Sequence, residues 1–507
     1  MTEKRRGNMV FSSLIFLYGF FSLSLAVYAL CRTQKAQNIS LLVFSLIFYA
    51  WGEPKYVLLL MFMAFSSWAC ALGVDRSESA GRKKLWVAAA AVVDLGLIGY
   101  FKYAGLICSI FGTVPDVIKS IALPIGISFY TFQLLTYVID VYRGDAQAQK
   151  SYWNVLLYAA LFHQCIAGPI VRYKTIDQEL FGSQPRQPEW HVGVSRFCAG
   201  LAKKVLLANP CGALADTLIL ADKTASDVSL LSENLAHFQS LSVLGAWVGL
   251  AAYALHIYLD FSAYSDMAIG MGRMLGLHYL ENFNYPYISR SVTEFWRRWH
   301  MSLGTFFRDY VYIPLGGSRC SKPRMIFNTF AVWALTGIWH GASWNFALWG
   351  LWFFVFLMLE RFFLKKVLDK LPVLSNLYLL AVVLLGWVIF RYSDTRLIWA
   401  MMGSLFGANG NPLTDFTSLI QLQSNLYLLI AAVLASTPLV KKLGVLLSER
   451  AHHPSGGSFL SEEARLCSGR AVAWDVVFYS ILPVILLLLS TACLVGDSYN
   501  PFIYFQF

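Results

Sequence analysis

Apolar residues follow one another in this chain in about a dozen runs close to the roughly 20 residues that cross a bilayer. They lie around 10–30, 39–51, 55–73, 85–101, 121–139, 152–170, 237–259, 326–343, 344–363, 377–392, 417–439 and 475–496. A water-soluble core needs no runs of that length. Of 507 residues, 57% are apolar and 14% charged, the balance of a polytopic membrane protein. The expected fold is all-α, with about 11–13 membrane helices and the surplus runs re-entrant or interfacial. No small-residue cleavage site follows the first run, so it reads as a retained helix rather than a signal peptide.

The net charge of +11 comes from clusters such as "GRKKLW", "LAKKV" and "RFFLKKV", which suit anionic lipid headgroups. "MTEKRR" argues for a cytoplasmic start, but Met9 opens "MVFSSLIFL" as a second start site, which leaves 1–8 as an extension and the orientation open. Nine scattered cysteines form no C-x-x-C pair and no disulfide framework, so a structural metal site is not expected. No repeat and no soluble domain is visible, and the polar loops are too short to fold alone. A single membrane domain over 1–507 is the simplest organisation.

The stretch 281–325 is dense in charge and aromatic residues, although it lies between apolar runs. Within it, "SVTEFWRRWHMSLGTFFRDYVYIPLGG" predicts one helix. Ser291 and Glu294 make a capping box, and Trp296, Trp299, Leu303, Phe306 and Tyr310 form an apolar stripe. Steps of three and four from Arg297 reach His300, Gly304 and Arg308, a polar row with an imidazole between two guanidiniums. Two readings fit: a site for an anionic ligand, or an interfacial helix whose arginines meet lipid phosphates.

His340, in "LTGIWHGASWNFALWG", sits near the centre of roughly 35 apolar residues, more than one membrane span. It is expected at a helix break or deep in the bundle. An ionisable ring in such a place is costly, which makes it a functional candidate. The plainer reading takes Gly337 and Gly341 as a small-xxx-small helix contact, with the histidine bonded to a neighbouring helix. His163, before a Gly-Pro break in "FHQCIAGPIVRY", and Asp260 and Asp266, in "YLDFSAYSDMAIG", read as structural polar groups. Nothing near His256 or His278 asks for chemistry. The chain has no phosphate-binding loop of the G-x-x-x-x-G-K type and no nucleic-acid-binding pattern.

The last segment, 497–507, ends in "NPFIYFQF". Asn500-Pro501 stops the preceding helix, so the tail is expected to be extended, with Phe502, Tyr504 and Gln506 on one face and a reach of roughly 20 Å. It fits a narrow apolar passage that receives one phenol, and it also fits an interfacial aromatic anchor.

"FWRRWHMSLGTFFRDYVYIPLGGSR", "LTGIWHGASWNFALWG", "LPIGISFYTFQLLTYVIDVYRG", "DFSAYSDMAIGMGRMLG", "ENFNYPY" and "FIYFQF" together resemble the membrane-bound O-acyltransferase (MBOAT) family over nearly the whole chain. Within it, the bacterial branch of alginate O-acetyltransferase membrane subunits is nearest. "LFHQCIAGPI" departs from the family pattern, so the resemblance gives His163 no role. The resemblance implies a helix bundle around a central tunnel, with a core over 281–345, in a bacterial cell membrane. It makes His340 the catalytic histidine, His300 the second, and Tyr504 a carrier of the acyl group in transit. Acetyl-CoA is the implied donor, used without a bound cofactor, and Arg297, Arg298 and Arg308 are candidates for its phosphates. A secreted or wall polysaccharide is the implied acceptor, reached through an extracytoplasmic SGNH-type partner. Two alternatives stand beside this: D-alanyl transfer to teichoic acid from a carrier protein, and a transporter without acyl chemistry. Transporters commonly show paired repeats, which are not visible here.

Overall fold

The computed structural model describes residues 10–166, 168–222, 229–452, 469–496 and 499–500, and every regular element among them is helical. The chain forms two compact units, Met1–Gly193 with Met267–Glu281, and Val194–Asp266 with Asn282–Phe507.

Among the described residues, six helices are long and apolar enough to cross a membrane: Val57–Arg76, Ala80–Ile110, Val243–Met274, Trp344–Leu368, Pro372–Arg391 and Gly469–Gly496. A seventh span results if Phe416–Ser424 and Leu426–Ala435, bent by 56°, count together. This is fewer than the dozen apolar runs, because an apolar run is not yet a helix of spanning length. The run at 10–30 yields a shorter apolar helix, Ile15–Leu30. The run at 121–139 begins its helix only at Ile127, after Pro124. The run at 152–170 is helical only over Tyr152–Ala160. Its continuation, "LFHQC", turns back so that the Gln164 side-chain Nε2 donates to the Tyr158 carbonyl at 2.6 Å. Gly126, at φ 75°, lies so close to the Cys165 carbonyl that a Cβ there would stand 2.2 Å from the oxygen.

The first unit packs around phenylalanines. Phe162 meets Phe20 at 5.4 Å and Phe48 at 5.9 Å between ring centres. Large apolar rings in contact add to the area they bury, so this cluster fixes how the short helices of the unit meet.

The spanning helices differ in what surrounds them. In Val243–Met274, 78% of the apolar window is buried, against 11% in Gly469–Gly496. The first is an interior helix, and the second presents its leucines and valines outward, as lipid allows. In the second unit, Lys322–His340 and Trp344–Leu359 cross at two glycines. A Cβ on Gly337 would stand 2.4 Å from the Phe346 carbonyl, and one on Gly350 2.5 Å from the Trp333 carbonyl. Backbone meets backbone there, so Gly337 is a packing residue as expected, with Gly350 across from it, and Gly341 also lies tight against the second helix, at the Phe346 ring.

Candidate active site

The segment after Ser291 is two helices, not one. Val292–Arg298 and Met301–Phe307 are separated at His300, whose φ of 45° and ψ of 54° are left-handed. A side chain other than glycine, asparagine or aspartate is uncommon there and persists only when its surroundings impose it. Asn282 imposes it. Its carbonyl accepts from the Met301 amide at 2.9 Å, and its Oδ1 accepts from the Ser302 amide at 3.2 Å and the Ser302 hydroxyl at 2.9 Å. The Asn284 amide also donates to the Arg298 carbonyl at 2.9 Å. The segment 282–284, which has no regular structure, therefore takes bonds that a continuous helix would have kept for itself.

The N-terminal cap forms as the sequence predicts, with the Glu294 amide donating to Ser291 Oγ at 3.0 Å. The Glu294 carboxylate does not return to Ser291 but accepts from the Arg290 amide at 2.9 Å. The opening amides of this helix go instead to Glu360, which belongs to the spanning helix Trp344–Leu368. Its carboxylate takes the Val292 amide, the Thr293 amide at 3.0 Å and the Thr293 hydroxyl at 2.8 Å.

His300 is 2% exposed, with the ring of Phe261 edge-on at 4.7 Å. Its Nδ1 lies 3.2 Å from Asn282 Oδ1, an atom already fixed as an acceptor by the Ser302 amide. Nδ1 therefore carries the proton and Nε2 the lone pair. Nε2 is buried and has no hydrogen-bond partner among the described residues. His300 lies outside the spanning helices, and burial pushes its imidazole down to about 3 from an ordinary 6.5. Unfolding would let the ring take up a proton below pH 6.5, so the stability it contributes is complete above that pH. That stability is lost as the pH falls towards about 3, by up to about 1.4 kcal/mol per unit. His163, pushed down to about 3 by the same cause, adds to the same slope. His300→Gln is expected to flatten the fall of the thermal midpoint of the solubilised chain between about pH 6 and pH 4. An unchanged slope would mean that His300 is not held neutral by burial.

His340 is the last residue of Lys322–His340, so it does stand at a helix break, and it is half-buried. Gly341 then runs extended at φ −171°, and the next helix opens at Trp344. The imidazole sits among Trp339 at 5.0 Å, Trp349 at 5.0 Å and Phe390 at 5.2 Å. Trp339 is also 6.0 Å from the His300 ring. The two histidines, 40 positions apart in the chain, thus share one tryptophan as neighbour.

Near them is a cavity of about 760 Å³, lined by the cationic Arg290, Arg297, Arg308, Arg361 and Lys365, by the carboxylates Glu294, Glu360 and Asp369, and by Gly304 and Trp333 among others. Its size falls within the usual range for organic ligands. Trp333 in its wall packs on Trp349 at 6.1 Å, the same ring that covers His340. Arg297, Gly304 and Arg308 of the predicted row do meet here. His300 does not line the cavity, because the break turns it inward. Arg298 is not in the lining either; it pairs with Glu294 at 2.8 Å. Arg308 pairs with Asp309 at 2.7 Å, whereas Arg290, Arg297, Arg361 and Lys365 have no ion pair among the described residues. Arg361 and Lys365 come from "RFFLKKV", which composition alone assigns to headgroups. Their spacing of four, on the helix after Glu360, is the signal that could have grouped them.

The remaining sequence candidates resolve as structural groups or fall outside the described region. Asp260 is buried and pairs with Lys204 at 2.7 Å; Asp266 pairs with Arg196 at 2.9 Å and with Lys203. His163 Nδ1 bonds the Tyr279 hydroxyl at 2.8 Å. His278 faces Glu179 at 2.8 Å. Tyr504 lies outside the described residues. Among the described residues, no group of three or more His, Cys, Asp or Glu side chains converges.

Comparison with known proteins gives a match to the membrane-bound O-acyltransferase family over residues 143–370, a stretch that contains both His300 and His340. The chain is 36% identical to a "probable alginate O-acetylase" of Azotobacter vinelandii, over 98% of this chain and the whole of that protein. Identity and coverage are the same with the protein of that name from Pseudomonas aeruginosa. A peptidoglycan O-acetyltransferase of Helicobacter pylori is 28% identical over 79% of this chain and 80% of its own length.

Proposed function

The chain belongs to the membrane-bound O-acyltransferase family, and from that membership we propose that it moves acetyl from cytoplasmic acetyl-CoA across the membrane to O-acetylate a secreted or cell-wall polysaccharide. It is a polytopic bacterial membrane protein. Its likeness to O-acetyltransferases over the whole chain supports acyltransferase chemistry.

The observation that carries the donor assignment is the cavity with four cations that have no ion pair among the described residues, Arg290, Arg297, Arg361 and Lys365. Guanidiniums and an ammonium around one basin suit several phosphate groups at once, as a coenzyme A donor carries. The wall of that basin and the seat of His340 share the Trp333–Trp349 ring contact, so a pantetheine arm leaving the basin would run toward the imidazole.

In this reading the bundle encloses a tunnel with His340 and His300 at its waist. His340 takes the phenolic proton of Tyr504 as the oxygen attacks the thioester carbonyl. The C–S bond breaks, the proton passes to the leaving thiolate, and acetyl rests on Tyr504 as an ester. His300, with its Nε2 lone pair, accepts a hydrogen bond nearby and so orients a reacting group without taking its proton. Leaving-group order favours the relay, since a thiol leaves with a pKa near about 8.5 and a phenol near about 10. An alcohol of the polymer lies higher still, so each ester is less activated than the one before. Outside, an SGNH-type partner completes transfer to the polymer hydroxyl and returns the tyrosine.

The test is intact-mass analysis of the C-terminal peptide after the full chain in vesicles meets isotopically labelled acetyl-CoA. A labelled acetyl on Tyr504, absent from Tyr504→Phe, is the expected result. An unmodified Tyr504 in protein that is acetylating its polymer would end the carrier role. Labelling from a D-alanyl carrier protein, with none from acetyl-CoA, would move the assignment to teichoic acid alanylation.

A further inference from the structure

The helix end that seats His340 also holds the root of the C-terminal tail. Phe390, packed on His340, is followed by Arg391, the last residue of Pro372–Arg391. The Arg391 guanidinium lies over the Tyr253 ring at 4.3 Å and donates to the Leu220 carbonyl at 2.6 Å and 3.0 Å. Leu220 holds a φ of 48°, a left-handed backbone that turns this carbonyl toward the arginine. Strain of this kind persists only where surroundings over-determine it.

Arg391 also grips Asp216 Oδ1 at 2.8 Å, and the other oxygen of that carboxylate accepts from the Tyr499 hydroxyl at 2.7 Å. About two helical turns before Asp216, Asn209 donates to the Asn500 side-chain oxygen at 3.2 Å. Between them lies Gly212, where a Cβ would come within 3.0 Å of the Tyr499 hydroxyl and 2.8 Å of the His256 ring. Helix Asn209–Ile219 thus offers a flat floor, with a bond at each end, to two consecutive tail residues.

We propose that Asp216, held by Arg391, and Asn209 form a latch on Tyr499 and Asn500 that sets where the tail begins, and so the register in which it presents its hydroxyl to His340. The latch rests on the reading of Tyr504 as the acyl carrier. Asp216 and Arg391 are positioning residues and touch no reacting atom. A bond to a charged partner in a half-buried site holds well beyond a neutral one, so its loss should be measurable in both anchoring and turnover.

The experiment uses the purified full chain with Tyr499→Phe, Asp216→Asn and the double variant. Anchoring is read as the rate at which carboxypeptidase trims the C-terminus, and turnover as kcat and KM with acetyl-CoA. Each single variant is expected to be trimmed about tenfold faster and to lose about tenfold in kcat with KM unchanged. The double variant should be no worse than Asp216→Asn alone, which already removes the Tyr499 bond together with the pairing to Arg391. Trimming at the wild-type rate in both singles would overturn the latch, and faster trimming with wild-type kcat would overturn its positioning role. Tyr504→Phe with full activity and normal trimming would instead sink the carrier reading alone. Tyr499→Phe keeps the ring, so a folding defect is not expected from it.

Discussion

His340→Ala is expected to cut acyl transfer by about 10²–10⁴-fold, the usual worth of a positioned general base, while the chain still inserts and folds. The ring is half-buried at a helix end, where its neighbours include Trp339, Trp349 and Phe390, so its removal opens no gap inside a helix. Transfer of labelled acetyl to polymer gives the rate, and the elution profile and thermal midpoint of the solubilised chain give the fold. If the folded variant still modifies the polymer at the wild-type rate, His340 is not the base, and a transport function without acyl chemistry becomes the better account. The aromatic seat has a further use in this prediction. Trp339, Trp349 and Phe390, each with its ring centre 5.0–5.2 Å from that of the imidazole and steeply inclined to it, limit how far the ring can turn.

The largest loss of stability is expected from Gly337→Val. The new Cβ would overlap the Phe346 carbonyl at 2.4 Å and crowd Gly350 Cα at 3.4 Å, both backbone atoms with no rotamer to retreat into. The two helices must separate, at a cost of roughly 3 kcal/mol or more. The same shift displaces His340, one turn further along, so activity should fall with stability. Gly96→Ala is the control: nothing lies within 4 Å of its Cβ, and helix propensity predicts a gain of up to about 1 kcal/mol. Thermal midpoints of the two purified variants should move in opposite directions. A Gly337→Val protein with the wild-type midpoint would show that the helices do not cross at this point.

Much of this architecture could be read from residue order, and the exceptions share one cause. Apolar run length predicted an all-α membrane protein, Ser291 predicted its own cap, and the residues around His340 predicted a helix break, because each depends on near neighbours in sequence. The break at His300 depends on Asn282, 18 positions away, whose carbonyl and side chain compete for the bonds of a helix that periodicity alone would continue. Arg298 and Arg297 are adjacent, yet Arg298 is held by Glu294, one turn back on the cavity wall, while Arg297 lines the cavity itself. Arg361 and Lys365 were hidden because a basic cluster beside an apolar run ordinarily faces headgroups. The Asp216–Tyr499 bond links positions 283 apart, and no local pattern announces it.

The carboxylate of Glu360 has a mechanical consequence. A helix of seven residues is well short of the about 12–15 at which isolated helices begin to hold their shape, so Val292–Arg298 does not stand by itself. Its first turn is bolted to a membrane-crossing rod through a crankpin of three hydrogen bonds, and Arg297 rides on the far end of the crank. The place of Arg297 in the basin wall is therefore inherited from the helix that carries Glu360, and a change at that one carboxylate would loosen a side chain that never touches it.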